Sequence, residues 1–279
     1  MSDRSLHPAS LQANSVSFAY GASTILRDVS LRVPSGELVA VLGPNGSGKT
    51  TLLRVLAGLL PPATGQVSLD GEDLASLSRG ALARRMAMVP QETHLAFEYS
   101  VLEIALMGRY PHLGAFEVEG PTDLRIAREA LAATGTTHLE ARGFMTLSGG
   151  EKQRVIIASA LAQLWQPSET SRVRTNGGLL LLDEPTASLD VGYQLDVAST
   201  LRSLNETRHT TMVVLTHDLN LASTLCRHLV MLREGRVIAD GPTDGVLTQE
   251  TVRALYDVDA DVTRNEGTGH LTVVPVRRT

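Results

Sequence analysis

The sequence is poor in cysteine, lysine and aromatic residues. Its one cysteine, Cys226, cannot form an internal disulfide, and no cluster of cysteine and histidine has the spacing of a metal site. The N-terminus also lacks the apolar core of a secretory signal peptide. These absences predict a cytosolic protein.

Long apolar runs and basic runs are also missing. The longest nearly apolar run, Val155 to Trp165, is far shorter than the roughly 20 residues that a membrane helix needs. The net charge is -5, and no run of basic residues exceeds two. The sequence therefore indicates no nucleic-acid partner, and any membrane association must come through another protein. Its 279 residues, 43% of them hydrophobic, can form one large or two modest domains.

Of the 25 basic residues only Lys49 and Lys152 are lysines. Lys49 lies in a glycine-rich stretch between the apolar run Leu38 to Leu42 and the amphipathic run Leu52 to Leu60. Strand, glycine-rich loop and helix in this order are the context of a P-loop. A lysine there indicates a need for a compact point charge that arginine does not supply; the alternative is that the lysine survives by chance.

The P-loop predicts a triphosphate site. Its glycines let several backbone N–H groups point at phosphate oxygens, and the following helix adds its positive end. Lys49 would reach the β and γ phosphates of ATP, and the Thr50 hydroxyl would hold Mg²⁺. The alternative is a plain glycine-rich turn. The predicted loop comprises Gly43, Pro44, Asn45, Gly46, Ser47, Gly48, Lys49, Thr50 and Thr51.

Two acids follow the apolar run Leu179 to Leu182. Ligands bind at the carboxyl ends of strands in open α/β sheets, which is where Asp183 and Glu184 would lie. Asp183 is predicted to hold Mg²⁺, and Glu184 to polarise or deprotonate the attacking water. The alternative is a solvated strand end.

A second glycine-rich turn, Leu147 to Arg154, opens another helix. Alone it could be a helix cap, although exposed N–H groups there can also meet an anion. A single bound triphosphate needs only one phosphate-binding loop. An economical explanation for the second glycine-rich turn is that two chains bind head to tail and each completes the other's site.

Together these motifs resemble the ATP-binding subunit of ATP-binding cassette (ABC) transporters, over roughly residues 12–245. Leu147 to Gln153 corresponds to the family signature, Gln91 to the Q-loop, Ser188-Leu189-Asp190 to the D-loop, and His217 to the switch histidine. The resemblance implies an α/β fold: a P-loop NTPase core with a mostly parallel sheet, an N-terminal antiparallel β subdomain and an inserted α-helical subdomain.

The resemblance also implies roles for further residues. Tyr20 would stack on adenine, Gln91 would sense Mg²⁺ and water, and His217 would hydrogen-bond the γ-phosphate. The alternatives are a hairpin aromatic for Tyr20, a surface amide for Gln91 and a helix-start residue for His217. In a homodimer, Ser148, Gly149, Gly150 and Asp190 would complete the site of the opposite chain.

The sequence after the Q-loop resembles that of importer ATPases for ferric siderophores, haem and vitamin B12. The resembling residues are Phe97 to Val101 and Met107 to His112. A second resemblance, to the haem importers, lies in an inserted polar segment at 167–177, called the polar excursion below. The implied partners are a membrane permease and, indirectly, a solute-binding protein. The implied location is peripheral, on the cytoplasmic face of the cell membrane.

Other functions remain open at this stage. A soluble repair-type or assembly-type ABC ATPase is one alternative, and an importer ATPase for another cargo is a second. Repair members carry heptad or zinc-bearing insertions, translation members two cassettes and exporters membrane helices, none of which the sequence shows. A non-enzymatic adaptor is disfavoured because Lys49, Asp183, Glu184 and His217 are all present.

The predicted organisation has three parts. Residues 1–11 form a disordered lead-in, 12–245 the ATPase domain with a helical subdomain at about 93–165, and 246–279 an extension with one helix and one strand. Further predictions are a hairpin within 13–32 and a helix from Leu74 to Arg85.

Overall fold

A computed structural model describes residues 10–93, 95–167, 173–174, 178–187 and 189–278. Contacts divide the chain into two compact units. We call Ser10–Ser76 with Met212–Thr279 the P-loop unit, and Leu77–Thr211 the signature unit.

Some predictions fall outside the described residues. These are most of the lead-in, nearly all of the polar excursion, and Ser188 of the D-loop. The predicted boundaries of the ATPase domain, its helical insertion and its extension stay predictions.

The P-loop unit begins with an antiparallel sheet. The strands β1 (Leu11–Tyr20) and β2 (Ser23–Val33) confirm the predicted hairpin. β4 (Thr64–Leu69) pairs with β1, and β5 (Glu72–Asp73) pairs with β4, which gives the order β2-β1-β4-β5. Apolar side chains alternate along β1, so one face of this sheet is buried.

The same unit holds parallel strands. β10 (Thr211–Thr216) and β11 (His228–Arg233) flank β3 (Leu38–Leu42) in parallel, and β12 (Arg236–Pro242) pairs with β11 in antiparallel fashion. Every residue of β3 and β10 is buried, as expected for parallel strands covered on both faces. The register places Leu42 beside Thr216, so both strands end at the same level.

Four helices and a hairpin complete the P-loop unit. The first helix, α1, follows β3 directly, and the others lie in the C-terminal part. The predicted extension contains a second strand, β13, which the prediction of one helix and one strand missed although apolar and polar residues alternate in it. The elements are α1 (Lys49–Leu56), α7 (Leu219–Leu225), α8 (Thr243–Val246), α9 (Gln249–Tyr256), β13 (Val258–Arg264) and β14 (Leu271–Arg278).

The signature unit contains a parallel pair of strands and its own helices. β6 (Met86–Val89) lies beside β9 (Leu179–Asp183), with Val89 opposite Leu182. The predicted continuous helix from Leu74 to Arg85 is wrong: Leu74–Ser76 form a 3₁₀ turn, and Ser78 caps a separate short helix, α2 (Arg79–Ala83). The remaining elements are α3 (Val101–Met107), α4 (Pro121–Ala133), α5 (Gly149–Leu164), β7 (Gln166–Pro167), β8 (Val173–Arg174) and α6 (Val191–Arg208).

Arg109 ties three helices of the signature unit together. It is only 2% exposed; its Nε lies 2.9 Å from Asp123 Oδ1, and its Nη1 donates to the carbonyl oxygens of Ala162 and Trp165 at 2.5 and 2.7 Å. Burial would raise the pKa of Asp123, but hydrogen bonds from Arg109 and the Gly120 N–H bring it below its ordinary value. Arg109 therefore belongs to the interior, although it lies in the stretch Met107 to His112 that resembles the importer ATPases.

Within the described part of the chain, no helix is long and apolar enough to cross a membrane.

Candidate functional site

The P-loop and the switch histidine each follow the end of one of two neighbouring strands. Gly43 follows the last residue of β3, and His217 follows the last residue of β10. Because Leu42 and Thr216 are register partners in parallel strands, both residues leave the same edge of the sheet. The P-loop unit thus brings two predicted site elements together.

The P-loop has a shape that only glycine permits at two positions. A Cβ on Gly43 would lie 2.3 Å from the Leu232 carbonyl oxygen, which belongs to the neighbouring strand and cannot rotate away. Gly48 has φ +101° at the start of α1, a left-handed conformation that side chains disfavour. The loop tip, Asn45 and Gly46, is exposed.

Lys49 is buried and points back along the loop. Its Nζ donates to the carbonyl oxygens of Gly43 and Pro44 at 2.8 and 3.2 Å. These two bonds hold the ammonium group against the loop, where the predicted phosphates would bind.

The loop also fits a phosphate group by its unsatisfied polar atoms. Among the described residues, buried Ser47 Oγ has no hydrogen-bond partner. No side chain caps α1, whose first turn carries Thr50 and Thr51 but no acid. N–H groups at a helix start and an unpaired hydroxyl suit an anion. The arrangement can hold a triphosphate.

Tyr20 lies at the end of β1 and is 49% exposed. Its ring contacts Phe18 edge-on, with ring centroids 4.9 Å apart and an interplanar angle of 84°. Phe18 is buried, so the hairpin core ends there and one face of Tyr20 is presented outward. An exposed, supported ring can stack on a base.

His217 precedes the cap of α7. The ring is exposed, while Asp218 Oδ1 accepts from the N–H groups of Asn220 and Leu221 at 2.9 and 3.0 Å. Capping is thus done by Asp218, as the helix-start alternative supposed. The cap leaves the imidazole of His217 outside the helix, where it can act.

The signature unit brings the Q-loop beside the two acids. Val89 and Leu182 are register partners, so Gln91 and the pair Asp183 and Glu184 leave the same edge of the β6–β9 pair. Asp183 is buried and Gln91 is exposed. The predicted acid and amide are therefore neighbours at one strand end.

Glu184 has an unusual backbone. Its φ is +47°, a left-handed conformation that is rare for a non-glycine residue, and it directly precedes Pro185, which restricts it further. Such strain costs about 1 to 3 kcal/mol and clusters at functional sites.

Metal binding in the described residues would need few carboxylates. They contain no group of three or more histidine, cysteine or acidic side chains that could hold an ion. Mg²⁺ in phosphate sites takes one or two carboxylates, waters and phosphate oxygens. The single carboxylate of Asp183 in the signature unit is compatible with that kind of donor set.

Ser148 and Glu151 cap the signature helix reciprocally. Ser148 Oγ accepts from the Glu151 N–H at 3.3 Å, and the Ser148 N–H donates to Glu151 Oε2 at 2.8 Å. The latter bond lowers the pKa of Glu151, which keeps this carboxylate charged. The helix-cap alternative therefore describes this chain correctly, and a second role for Ser148 stays a prediction.

The D-loop residues pack against the signature glycines. Asp190 caps α6 by accepting from the Tyr193 N–H at 3.1 Å. A Cβ on Gly150 would lie 2.5 Å from Tyr193 Cδ1, and one on Gly149 would lie 2.9 Å from Leu189 Cδ2. Gly150 is thus required by the start of α6, a reason independent of any nucleotide, whereas the Leu189 side chain can move away from a methyl group at position 149.

The sequence reasoning missed two tyrosines. Tyr193 supports Gly150, and the Tyr256 hydroxyl donates to the His217 carbonyl oxygen at 3.1 Å. Neither lies in a recognisable motif. The sequence offers one weak signal for them: aromatic residues make up only 4% of the chain, so each tyrosine is an uncommon side chain.

Comparisons with known proteins agree with these motifs. The family model described as "ABC transporter" matches residues 26–187. The hemin import ATP-binding protein HmuV of Rhodopseudomonas palustris is 43% identical over 248 residues, which are 89% of this chain and 88% of that protein. The ferric enterobactin transport ATP-binding protein FepC of Escherichia coli is 36% identical over 97% of this chain and 96% of its own length.

A third relative is longer. The cobalamin import ATP-binding protein BtuD of Halobacterium salinarum is 42% identical over 252 residues, and the match spans 90% of this chain but only 60% of that protein.

Solved structures show the same fold. A metal-chelate type ABC transporter in an inward-facing conformation superposes with a TM-score of 0.80 and 30% identity, covering 96% of this chain and 98% of that one. A bacterial ABC transporter cassette solved as a dimer has a TM-score of 0.69 and 29% identity, covering 84% and 98%. The predicted α/β P-loop NTPase fold is confirmed. With the motifs, the family match and these relatives in agreement, the chain belongs to the ABC transporter family as one of its ATPase subunits.

Proposed function

We propose that this chain is the ATPase of an importer for an iron-containing or corrinoid chelate, with haem or a ferric siderophore as the first candidates. It would work as a homodimer bound to a membrane permease on the cytoplasmic face of the cell membrane. A solute-binding protein would deliver the cargo to the permease.

The P-loop carries the proposal. Lys49 is held against the loop carbonyls, Ser47 Oγ is buried without a partner in the described structure, and α1 starts uncapped. These three features together provide a cation, a hydroxyl and N–H groups for the phosphates of ATP. Tyr20 would stack on the adenine.

Magnesium would be held by Thr50 and Asp183, with Gln91 beside the metal and the water. When bound, it neutralises charge on the phosphate oxygens. Glu184 would orient the attacking water and accept its proton, and His217 would hydrogen-bond the γ-phosphate. The protein's contribution is mainly positioning and charge stabilisation.

Two chains would share each nucleotide. Ser148, Gly149, Gly150 and Asp190 of one chain would meet the γ-phosphate side of the ATP held by its partner. The dimeric cassette among the structural relatives supports this arrangement. Closure would then depend on the γ-phosphate and reopening on its removal, which is how nucleotide state can drive a permease.

The permease would dock on the signature unit between Gln91 and α4. Large apolar side chains are exposed there: Phe97 is 72% exposed, Tyr110 57%, and Phe116 and Val118 still more. Large exposed apolar side chains mark a protein interface where they lie together. These side chains would provide an apolar surface against which a cytoplasmic helix of a permease can pack.

The cargo proposal is supported by the relatives' names. They are named for hemin, ferric enterobactin and cobalamin import, at 36 to 43% identity. The importer for another cargo stays the alternative within this class, and the soluble ABC ATPase the alternative outside it.

The test is reconstitution. The chain, a membrane permease and a solute-binding protein from the same source would be placed in proteoliposomes, and ATP hydrolysis measured with haem, a ferric siderophore or cobalamin. Stimulation and uptake of one cargo, lost in the Glu184→Gln variant, would support the proposal and identify the cargo. Hydrolysis that neither permease nor ligand affects would favour the soluble ATPase.

A further inference from the structure

The C-terminal extension holds the segment that carries the switch histidine. This extension, α8 to β14, lies beyond the residues of the family match, which end at 187. Three of its hydrogen-bonded contacts fall on residues 217–223, within the P-loop unit.

The first contact is the hydrogen bond from Tyr256 Oη to the His217 carbonyl oxygen, 3.1 Å long. Tyr256 is the last residue of α9, and its neighbour Leu255 is buried. Asp257 ends the helix with φ +55°, and the Arg233 guanidinium grips its carboxylate with bonds of 3.0 and 2.8 Å. The hydroxyl is therefore held in place by a fixed helix end.

The other contacts fix the helix after the histidine. The Asn220 side chain donates to the Val273 carbonyl oxygen at 3.2 Å and accepts from the Val273 N–H at 2.8 Å, as a strand neighbour would. Ser223 Oγ donates to the Leu271 carbonyl oxygen at 2.6 Å. The hairpin thereby clamps α7 along its first turn and a half.

On its other side, His217 is attached to a rigid strand. Thr216 is buried and paired with Leu42, beside the P-loop. The His217 peptide is thus the short connection, or joint, between a strand and a helix that are both held by hydrogen bonds. The Tyr256 hydroxyl acts on that joint.

We propose that Tyr256 is a positioning residue for His217, which it reaches through the backbone. This inference rests on the proposed role of His217 in ATP hydrolysis. Holding the carbonyl fixes the peptide plane, and with it the direction in which the imidazole leaves the chain. Small misplacements of a catalytic group are costly in rate. ATP affinity, in contrast, is proposed to depend on the P-loop and Tyr20.

The test is a double-mutant cycle. Tyr256→Phe removes only the hydroxyl, and His217→Ala removes the imidazole. We expect Tyr256→Phe to lower kcat by about three- to tenfold, the equivalent of one hydrogen bond, with KM for ATP and the thermal midpoint nearly unchanged. In the His217→Ala background it should have no further effect.

Arg277→Gln is the matched control. It breaks a hydrogen bond of the same extension, Arg277 Nε to Asp259 Oδ2 at 2.9 Å, that does not touch α7. It should leave kcat and KM as in the wild type.

The outcomes separate the two proposals. Unchanged kcat in Tyr256→Phe, when His217→Ala lowers kcat to a small but measurable residual rate, would overturn this inference alone. A loss of rate in Tyr256→Phe that persists in full on the His217→Ala background would also overturn it. Wild-type hydrolysis by His217→Ala would contradict the proposed function of the histidine, and this inference with it.

Discussion

Gly150→Ala is the substitution whose effect the structure defines most closely. Gly150 is buried in the first turn of α5, the signature helix, directly against Tyr193 of α6. A methyl group there would lie 2.5 Å from Tyr193 Cδ1 and 2.7 Å from both Cβ and Cγ. Carbon atoms normally approach to about 3.5 to 4.0 Å.

The clash cannot be removed by turning a side chain. Rotation of the Tyr193 ring relieves the contact at Cδ1, but its Cβ is fixed on the α6 backbone. The starts of α5 and α6 must therefore separate, and overpacking of this kind costs about 1 to 3 kcal/mol. Each kcal/mol lowers the thermal midpoint of a protein of this size by about 2 to 4 °C.

The displacement also reaches the proposed interface with the second chain. Ser148 and Gly149 begin the same helix, so they move with Gly150. We expect ATP binding by the single chain to be retained and ATP hydrolysis to be largely lost, because only hydrolysis needs the partner's signature residues.

Thermal unfolding, binding of a fluorescent ATP analogue and phosphate release measure the three effects. Gly80→Ala is the control, since Gly80 is exposed on α2 of the same unit with no atom within 4 Å of the added methyl group. It should be neutral or slightly stabilising. Wild-type stability and hydrolysis in Gly150→Ala would refute the packing argument.

Three further predictions concern other residues. Glu184→Gln should keep ATP binding and trap an ATP-bound dimer detectable by size-exclusion chromatography; wild-type turnover would remove Glu184 from the role of base. Tyr20→Ala should weaken ATP affinity by about 1 to 3 kcal/mol if the ring stacks on adenine. If calorimetry finds no change in affinity, Tyr20 is only a structural residue of the hairpin. Burial lowers the pKa of His112 from its usual 6.5, against the opposing bond to the Gln163 carbonyl oxygen, so the unfolded chain binds its proton more readily. Stability should therefore fall as pH drops below about 6.5, more steeply than in His112→Asn; parallel denaturation curves would contradict this.

The local motifs were accessible from the sequence because they depend on short-range chemistry. An apolar strand, three glycines and Lys49 define the P-loop without any tertiary information, and buried runs ending in Asp183 define the acidic strand end. Parallel strands then predict that such ends share an edge, and the registers Leu42 with Thr216 and Val89 with Leu182 agree.

What the sequence could not show depends on contacts between distant residues. The predicted helix over Leu74 to Arg85 was broken by Ser78, whose hydroxyl accepts from the Ala81 N–H at 3.2 Å and starts a new, short helix. Arg109 looked like part of a surface motif, yet its partner Asp123 makes it an interior residue. Tyr256 acts 39 residues from His217, a pairing that no local pattern indicates.

Mixing two inactive variants tests most directly whether the active site is shared between chains. Lys49→Ala removes the P-loop cation and Gly150→Ala displaces the signature turn, so each homodimer should hydrolyse little ATP. In a mixed dimer one site contains an intact P-loop from one chain and an intact signature from the other. An equal mixture should therefore recover up to about a quarter of wild-type hydrolysis if chains pair at random. A mixture no more active than the separate variants would contradict a site completed by the second chain.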